Sequence, residues 1–161
     1  MPDLERGRQK CRVHIRWMIR RDLPEVLENE RSGLGWTEDD FCKTLGHRNC
    51  IGLAAECSQH VVGHVVYRLR KHRFEILNLC VAQNWRRLGI GGQIIDKMIG
   101  KLSQCRRGEI LIDVPERLLL TQLFLRSKDF KAIEVVEDAY RMAYFLEGFT
   151  PVDYECDEAF L

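Results

Sequence analysis

The sequence predicts an α/β (α+β) fold, in which a mixed and mostly antiparallel sheet of about seven strands is flanked by about four helices. Three observations predict this fold. Several segments alternate apolar and polar residues, others repeat apolar residues at helical spacing, and a strand, a glycine-rich turn and a helix follow one another in mid-chain. Hydrophobic residues make up 45% of the 161 residues and charged residues 30%, which is the composition of a globular protein. We expect one domain over residues 1–161, with flexible ends at 1–11 and 148–161.

The first part of the chain predicts one strand and two short helices. Residues 12–20 alternate apolar and polar side chains, as in a strand with one buried face. Asp22 is a candidate cap for the first helix, and Glu25 completes a sequence pattern that resembles a capping box. Thr37 is expected to begin the second helix, because its hydroxyl and the acidic residues after it suit a positive helix N-terminus.

The middle of the chain predicts a meander followed by a crossover. Residues 50–57, 61–70 and 73–82 read as three strands with short connections, which favours antiparallel pairing. An amphipathic helix over about 90–102 precedes a short apolar strand at 109–114. A strand–helix–strand unit of this kind pairs in parallel through a right-handed crossover.

The last part of the chain predicts a helix and a closing pair of strands. The helix covers residues 116–127, and two strands within 130–146 surround a short turn at Glu137 and Asp138. The predicted order of elements is therefore β α α β β β α β α β β.

Charge and cysteine content exclude several classes of protein. Lys and Arg total 25 against 24 Asp and Glu, so the chain lacks the basic excess that holds a nucleic acid. The seven cysteines are odd in number and form no C-x-x-C, so neither a disulfide framework nor a metal site is predicted. No segment resembles a secretory signal or a membrane span. We expect a soluble, cytoplasmic protein with reduced thiols and no metal.

Residues 84–92 read NWRRLGIGG and follow a predicted strand. A glycine-rich turn that opens a helix collects free backbone N–H groups and the positive end of the helix dipole, so it favours an anion such as phosphate. The P-loop pattern fails because Gln93 and Ile94 stand where Lys and Ser or Thr are required. The dinucleotide pattern also fails, because Ile94 occupies its third glycine position and the preceding strands form a meander.

The segment from Arg86 to Gly91 fits the [QR]-x-x-G-x-[GA] signature of the GCN5-related N-acetyltransferases (GNAT), in the same strand–turn–helix context. The chain resembles most closely the bacterial ribosomal-protein-alanine N-acetyltransferases. That resemblance runs from IRRDLPEVLENE through GWTEDDF and LNLCVAQNWRRLGIG to QLFLRSKDF and EDAYRMAY, and covers most of residues 18–146.

The resemblance implies a GNAT-like sheet that is splayed between strands 4 and 5, and acetyl-CoA as cosubstrate. Pantetheine is then expected along the backbone of strand 4, and the pyrophosphate on the turn. By position, the expected cofactor-binding residues are Leu79, Cys80 and Val81 on the strand, and Arg86, Arg87, Leu88, Gly89, Ile90, Gly91 and Gly92 at the turn.

The resemblance also implies a general base at Asp113, although a polar strand end is an equal alternative for that residue. The subfamily's proton-donating tyrosine maps to Leu125, and an asparagine near pantetheine maps to Leu118, so both of those groups are missing here. Tyr140 is a candidate replacement acid, and Glu75 a candidate auxiliary base. Sheet packing for the tyrosine and solvation for the glutamate are the plainer alternatives.

These observations predict an acetyl-CoA-dependent N-acetyltransferase. Its expected acceptor is a primary amine, above all the N-terminal α-amine of a protein such as a ribosomal protein, with direct transfer in a ternary complex. A small-molecule amine is an alternative acceptor, and a weakly active or non-catalytic CoA-binding regulatory module is an alternative function. The acidic segment 151–161 is a candidate docking surface for a basic peptide. Neither nucleic acid nor membrane is expected as a partner, and both monomer and homodimer remain open.

Overall fold

The computed structural model describes residues 11–149, which form one seven-stranded sheet in the order β1-β2-β3-β4-β5-β7-β6. The strands are β1 His14–Trp17, β2 Cys50–Cys57, β3 His60–Leu69, β4 Arg73–Val81, β5 Glu109–Pro115, β6 Lys131–Val136 and β7 Ala139–Phe145. The helices are α1 Leu23–Glu30, α2 Glu38–Leu45, α3 Ile90–Gln104 and α4 Leu119–Ser127. Every neighbouring pair of strands is antiparallel except β4 and β5. This confirms the predicted fold class. The expected flexible ends and the acidic segment 151–161 lie almost entirely outside the described residues.

Two tight turns close the antiparallel hairpins that the sequence predicted. Ser58 and Gln59 join β2 to β3 with φ angles of 50° and 68°. Positive φ at both residues is what a two-residue turn needs if its twist is to match that of the strands. Val136 pairs with Ala139, so only two residues connect β6 to β7. The short connection predicted between the last two strands is therefore present.

Helices cover the two faces of the sheet and define two hydrophobic cores. The face beneath α3 and α4, called here the α3/α4 face, includes the buried side chains of Ile94, Met98 and Leu125. The opposite face, called the α1/α2 face, has a smaller core around Val26 and Phe41. Alternation along each strand therefore assigns successive side chains to opposite cores.

Strands β4 and β5 separate soon after they meet. They pair in parallel only where residues 73–76 lie beside residues 109–112. Beyond that point β4 continues to Val81 and β5 to Pro115, while each keeps its antiparallel partner on the other side. The sheet is therefore open between the carboxyl ends of two central strands.

The sequence predicted two local features incorrectly. Asp22 does not cap α1 with its side chain. Its carboxylate instead accepts from the Ile19 backbone N–H at 2.8 Å and from the Arg16 guanidinium at 2.7 Å and 2.8 Å, which stabilises a 3₁₀ turn before the helix. Helix α4 begins at Leu119 rather than at residue 116, because residues 115–118 first form a turn in which the Leu118 N–H donates to the Pro115 carbonyl.

The predicted start of the second helix at Thr37 is confirmed, and Thr37 also forms a capping box there. The Thr37 hydroxyl accepts from the Asp40 backbone N–H at 3.2 Å, and the Asp40 carboxylate accepts from the Thr37 N–H at 2.8 Å. None of the helices within residues 11–149 has the length and apolarity needed to cross a membrane.

Candidate functional site

The glycine-rich turn ends in a left-handed residue that starts α3. Gly89 is the N-cap of the helix with a φ of 80°, and Arg87 precedes it with a φ of 64°. The first helical hydrogen bond runs from the Gln93 N–H to the Gly89 carbonyl at 3.2 Å. The N–H groups of Gly91 and Gly92 precede that bond and have no acceptor within the helix. The turn thus has the free donors that an anion needs.

The two glycines at the start of α3 face α4. A Cβ atom on Gly91 would lie 3.2 Å from the ring of Phe124, so the missing side chain permits the close approach of the two helices. A Cβ atom on Gly92 would lie 3.5 Å from the Lys128 Nζ, which also forms an ion pair with Asp96 at 2.8 Å. Lys128 therefore adds positive charge beside the helix N-terminus. Sequence reasoning missed it because no motif links Lys128 to the glycines before α3 and α4 pack together.

The segment before β1 holds the turn from the other side. The Cys11 N–H donates to the Leu88 carbonyl at 3.0 Å, and the Cys11 carbonyl accepts from the Gln93 Nε2 at 2.6 Å. The Gln93 Oε1 accepts from the Val13 N–H at 3.0 Å. The Gln93 side chain therefore ties the first turn of α3 to the segment that leads into β1.

The two arginines of the turn have different surroundings. Arg86 donates to the Val81 carbonyl at 3.1 Å and to the Ser32 carbonyl at 3.2 Å, so its guanidinium connects the end of β4 to the segment after α1. Arg87 has an exposed side chain. Of the pair, Arg87 is the residue more available to a ligand on the turn.

The backbone of β4 beyond the separation from β5 has one free edge. The Ala82 N–H donates to the Val62 carbonyl of β3 at 2.8 Å. Because successive residues of a strand direct their backbone groups to opposite sides, Cys80 also faces β3, whereas Leu79 and Val81 face the opening. Of the predicted strand contacts, Leu79 and Val81 are thus the two whose N–H and C=O groups a ligand can reach, although Arg86 already donates to the Val81 carbonyl.

The Cys80 side chain is enclosed on the α1/α2 face. Its sulfur lies 3.4 Å from the Asn29 carbonyl, and a Cβ atom on Gly33 would lie 3.1 Å from it. Burial, together with the charge of Glu30, raises the pKa of the Cys80 thiol to about 11. Since the thiolate is the nucleophilic form, this environment favours a packing role for Cys80.

Asp113 on β5 forms a bidentate ion pair with Arg141 on β7. Arg141, its direct neighbour in the sheet, donates from Nε to Oδ1 at 2.9 Å and from Nη2 to Oδ2 at 3.1 Å. The Nη1 of the same guanidinium donates to Glu134 at 3.1 Å. The Asp113 side chain is 46% exposed, so solvent reaches the carboxylate despite the pairing.

Glu75, the predicted auxiliary base, lies within a group of arginines. Its carboxylate is 3.3 Å from Arg70, 3.4 Å from Arg73 and 3.6 Å from Arg68. Glu75 is paired with Leu111 in the sheet, where β4 and β5 are still joined. The structure therefore places Glu75 before the opening and Asp113 beyond it.

Tyr140 lies on the opposite face of the sheet from Asp113. It pairs directly with Val114, whose side chain is part of the core on the α3/α4 face. Its ring lines a cavity of about 340 Å³ together with Gln122 and Arg126 of α4. Tyr140 and Asp113 thus approach the open region of the sheet from different sides.

The two leucines that replace the subfamily's polar residues differ in burial. Leu125 is completely buried in the core of the α3/α4 face. Leu118 is the N-cap of α4, is half-buried and packs against the same core. Neither side chain has a hydrogen-bonding group, so any polar contact at these positions must come from the backbone.

A buried polar network lies beneath the α1–α2 connection. One oxygen of the Glu30 carboxylate accepts from the Leu34 N–H at 2.9 Å, from the Trp36 N–H at 3.4 Å and from the Asn78 side chain at 3.0 Å. The other oxygen is 2.9 Å from the His64 Nε2. Burial opposes ionisation of Glu30, but the hydrogen bonds with His64 and Asn78 outweigh it and lower the pKa of the carboxyl. The Glu30 carboxylate thus fixes the connection between α1 and α2.

Ligand atoms of Glu30, His64 and Cys80 all lie within 4.8 Å of one another, and all three residues are buried. Carboxylate oxygen, imidazole nitrogen and thiolate sulfur are all common metal ligands. In this structure, however, the Glu30 oxygens already take part in hydrogen bonds with several partners. The expectation that the protein uses no metal stays a prediction. His64 also packs edge-on against Phe41, with ring centroids 5.6 Å apart, and Trp36 packs edge-on against the same ring at 5.2 Å.

A cavity of about 610 Å³ lies on the α1/α2 face beside the end of β4. It is bordered by the end of α1, by Arg31 and Ser32 directly after the helix, and by Gln83 to Trp85 before the turn. A Cβ atom on Gly91 or Gly92 would lie nearest Phe124 or Lys128, and neither of these residues lines this cavity.

The parallel pair opens onto a glycine turn at a helix N-terminus, and a family model matches the segment that contains both. A family model described as the acetyltransferase (GNAT) family matches residues 13–116. The chain belongs to that family and carries an N-acetyltransferase domain. The resemblance predicted from the turn and its flanking segments is confirmed, as is the expectation of an enzyme. No curated protein matches the sequence significantly.

The similarity to several solved structures extends over nearly the whole length of those proteins. The ribosomal-protein-S18-alanine N-acetyltransferase of Escherichia coli has a TM-score of 0.74 at 15% identity, over 86% of this chain and 99% of its own. A PaiA N-acetyltransferase of Thermoplasma acidophilum, solved with coenzyme A, has a TM-score of 0.74 at 13% identity, over 83% and 99%. NAA60 of Arabidopsis thaliana, solved with acetyl-CoA, has a TM-score of 0.70 at 15% identity, over 85% and 100%.

Proposed function

We propose that this protein transfers the acetyl group of acetyl-CoA directly to a primary amine, and that the acceptor is the N-terminal α-amine of a protein such as a ribosomal protein. The observation that carries the proposal is the opening between β4 and β5, which leads into the glycine turn of α3. Family membership and the coenzyme A and acetyl-CoA in two similar structures support it.

The residues of the turn fit a pyrophosphate. Free N–H groups at Gly91 and Gly92 supply directed donors, while Arg87 and Lys128 supply charge from the turn and from α4. The free edge of β4 at Leu79 then offers backbone hydrogen bonds to the amide groups of pantetheine. When bound, acetyl-CoA supplies an activated acyl carbon.

The chain's own part in the chemistry is to place an amine and to move two protons. Asp113 lies beyond the point where β5 leaves β4, and its exposed carboxylate takes a proton from the amine through a bridging water. Tyr140 is the proton donor on the α3/α4 face for the departing thiolate. A base on one face and an acid on the other suit direct transfer in a ternary complex.

The α1–α2 connection forms one wall for the acceptor. The Glu30 carboxylate holds the Leu34 and Trp36 N–H groups, so this wall is fixed before the acceptor arrives. Preorganisation of this kind reduces the entropy that binding must otherwise overcome.

The test uses purified protein, acetyl-CoA and a peptide that begins with alanine and contains an internal lysine. The expected product is a peptide with one added acetyl group on its α-amine, located by fragmentation in a mass spectrometer. A formyl-blocked copy of the peptide is the control and should not react. Acetylation of a free polyamine but not of the peptide would contradict the proposed acceptor and support a small-molecule amine.

Leu118 and Leu125 favour a second candidate function, a weakly active or non-catalytic CoA-binding regulatory module. The turn is complete, whereas both positions beside the predicted chemistry carry apolar side chains. A protein that binds acetyl-CoA tightly but acetylates neither peptide nor polyamine would have this second function.

A further inference from the structure

Two cysteine sulfurs are in contact at the edge of the sheet, next to the segment that contacts the glycine-rich turn. The sulfur atoms of Cys11 and Cys57 lie 2.9 Å apart, although the residues are 46 positions apart in the chain. Both cysteines are half-buried free thiols. We propose that Cys11 and Cys57 are a site of reversible disulfide formation. The bond would secure residues 11–13, the segment that holds the glycine-rich turn at residues 86–92, called here the cofactor turn.

The backbone around both cysteines is already fixed in a suitable position. Cys57 is the last residue of β2, and Glu56 beside it pairs with His14 of β1. Two hydrogen bonds hold Cys11: its N–H donates to the Leu88 carbonyl, and its carbonyl accepts from the Gln93 side chain. A disulfide bond is about 2.05 Å long, so the two sulfurs need to approach by only about 1 Å.

A small disulfide such as oxidised glutathione is the oxidant. The thiolate of one cysteine attacks a sulfur of the small disulfide, which forms a mixed disulfide and releases one small thiolate. The thiolate of the other cysteine then attacks the protein sulfur of that mixed disulfide and releases the second. The two cysteines lose two electrons and two protons in all, and the oxidant gains them as two small thiols.

The bond would act on the cofactor turn through backbone contacts. Cys11 contacts Leu88 and Gln93 directly, and Gln93 is in the first turn of α3. In the reduced protein, Cys11 and Cys57 are free thiols, so no side-chain bond links residues 11–13 to β2. A disulfide to Cys57 would restrict the motion of this segment and therefore of the turn that it holds.

The first experiment measures whether the bond forms. The protein is equilibrated at about pH 8 with mixtures of reduced and oxidised glutathione, because the hydrogen bond with Cys57 raises the pKa of the Cys11 thiol. The expected result is a fall in titratable thiols from seven to five, with the linked peptides containing residues 11 and 57 found by mass spectrometry. Persistence of seven thiols, or linkage of other cysteines in place of these, would overturn the proposal.

Matched variants separate this pair from general oxidation. Cys57→Ser should keep all six of its thiols under the same conditions, whereas Cys42→Ser should lose two, because Cys42 is exposed and outside the pair. Oxidised wild type should unfold about 5–10 °C above the reduced form, since the bond closes a long loop. An equal shift in Cys57→Ser would contradict the assignment.

The second experiment measures the link to the turn. Calorimetric titration with acetyl-CoA should give an affinity several-fold tighter for oxidised than for reduced wild type, and no difference for Cys57→Ser. Equal affinities for the two forms of wild type would overturn the link. If neither form binds acetyl-CoA, the proposed function fails, while the thiol count still decides whether the disulfide exists.

Discussion

Asp113 and Arg141 lie directly opposite each other on β5 and β7, and the guanidinium donates to both carboxylate oxygens, at 2.9 Å and 3.1 Å. The hydrogen bonds and charges of Asp113 and of Glu134, the neighbour of Arg141 on β6, raise the pKa of Arg141. This pairing orients the one carboxylate that the sequence places at the opening of the sheet. In the proposed mechanism, the water that takes a proton from the amine shares the Asp113 oxygens with the Arg141 guanidinium.

Asp113→Asn should lower kcat for acetyl transfer by about 10²-fold or more, because an amide keeps the shape of the side chain but accepts no proton. The affinity for acetyl-CoA should stay unchanged, and both are measured on the same preparation. Glu134→Gln is the matched control, since Glu134 contacts the same guanidinium and is 58% exposed. A kcat for Asp113→Asn within twofold of the wild type would show that Asp113 serves only as the ion-pair partner of Arg141 within the sheet.

Leu125→Tyr should raise kcat if the enzyme lacks an efficient proton donor, because it restores a hydroxyl on α4 at the position where the resembled subfamily has one. Leu125 is fully buried, so the larger ring should also cost about 1–3 kcal/mol of unfolding free energy. Leu125→Phe is the control with nearly the same size and no hydroxyl. If the two variants show the same kcat, the hydroxyl does not take part.

Glu30→Gln should lower the free energy of unfolding at pH 7 by about 1–3 kcal/mol, because it removes a charged acceptor from a buried network of hydrogen bonds with His64, Asn78 and the Leu34 N–H. The pKa of Glu30 is lower in the folded than in the unfolded protein. The stability that Glu30 contributes is therefore present above the unfolded pKa of about 4.3 and is lost as the pH falls through the folded pKa.

Urea denaturation of Glu30→Gln at pH 7 and pH 4 should consequently show a smaller loss of stability in acid than the wild type shows. Glu28→Gln changes an exposed carboxylate on the same helix and serves as the control. The same acid dependence in wild type and Glu30→Gln would mean that the pKa of Glu30 is not lowered by folding.

The order of elements could be predicted because apolar periodicity is a local property of the sequence. The glycine turn was also predictable, since its residues are contiguous and the positive φ of Gly89 is what glycine permits. The starts of α1 and α4 were harder. Asp22 has a capping residue type, but its carboxylate contacts Arg16, which depends on how β1 and the 3₁₀ turn meet.

The candidate site was only partly predictable because its partners come from distant segments. Arg141 faces Asp113 through the register of β5 and β7, and Lys128 approaches Gly92 through the packing of α4 on α3. Neither relationship has a local signal. The face of Tyr140 also depends on register, and a shift by one residue would have placed it beside Asp113.

Calorimetric titration shows most directly whether the turn binds acetyl-CoA. Acetyl-CoA is titrated into Gly92→Glu, Gly100→Glu and wild type. A Cβ atom fits at both glycines, with the nearest heavy atom 3.5 Å away at Gly92 and none within 4 Å at Gly100. Both variants place the same carboxylate on α3, but only Gly92→Glu places it at the helix N-terminus. We predict that affinity falls at least tenfold in Gly92→Glu and is unchanged in Gly100→Glu. Equal affinities in all three proteins, or no binding by the wild type, would contradict the proposal that acetyl-CoA binds at the turn.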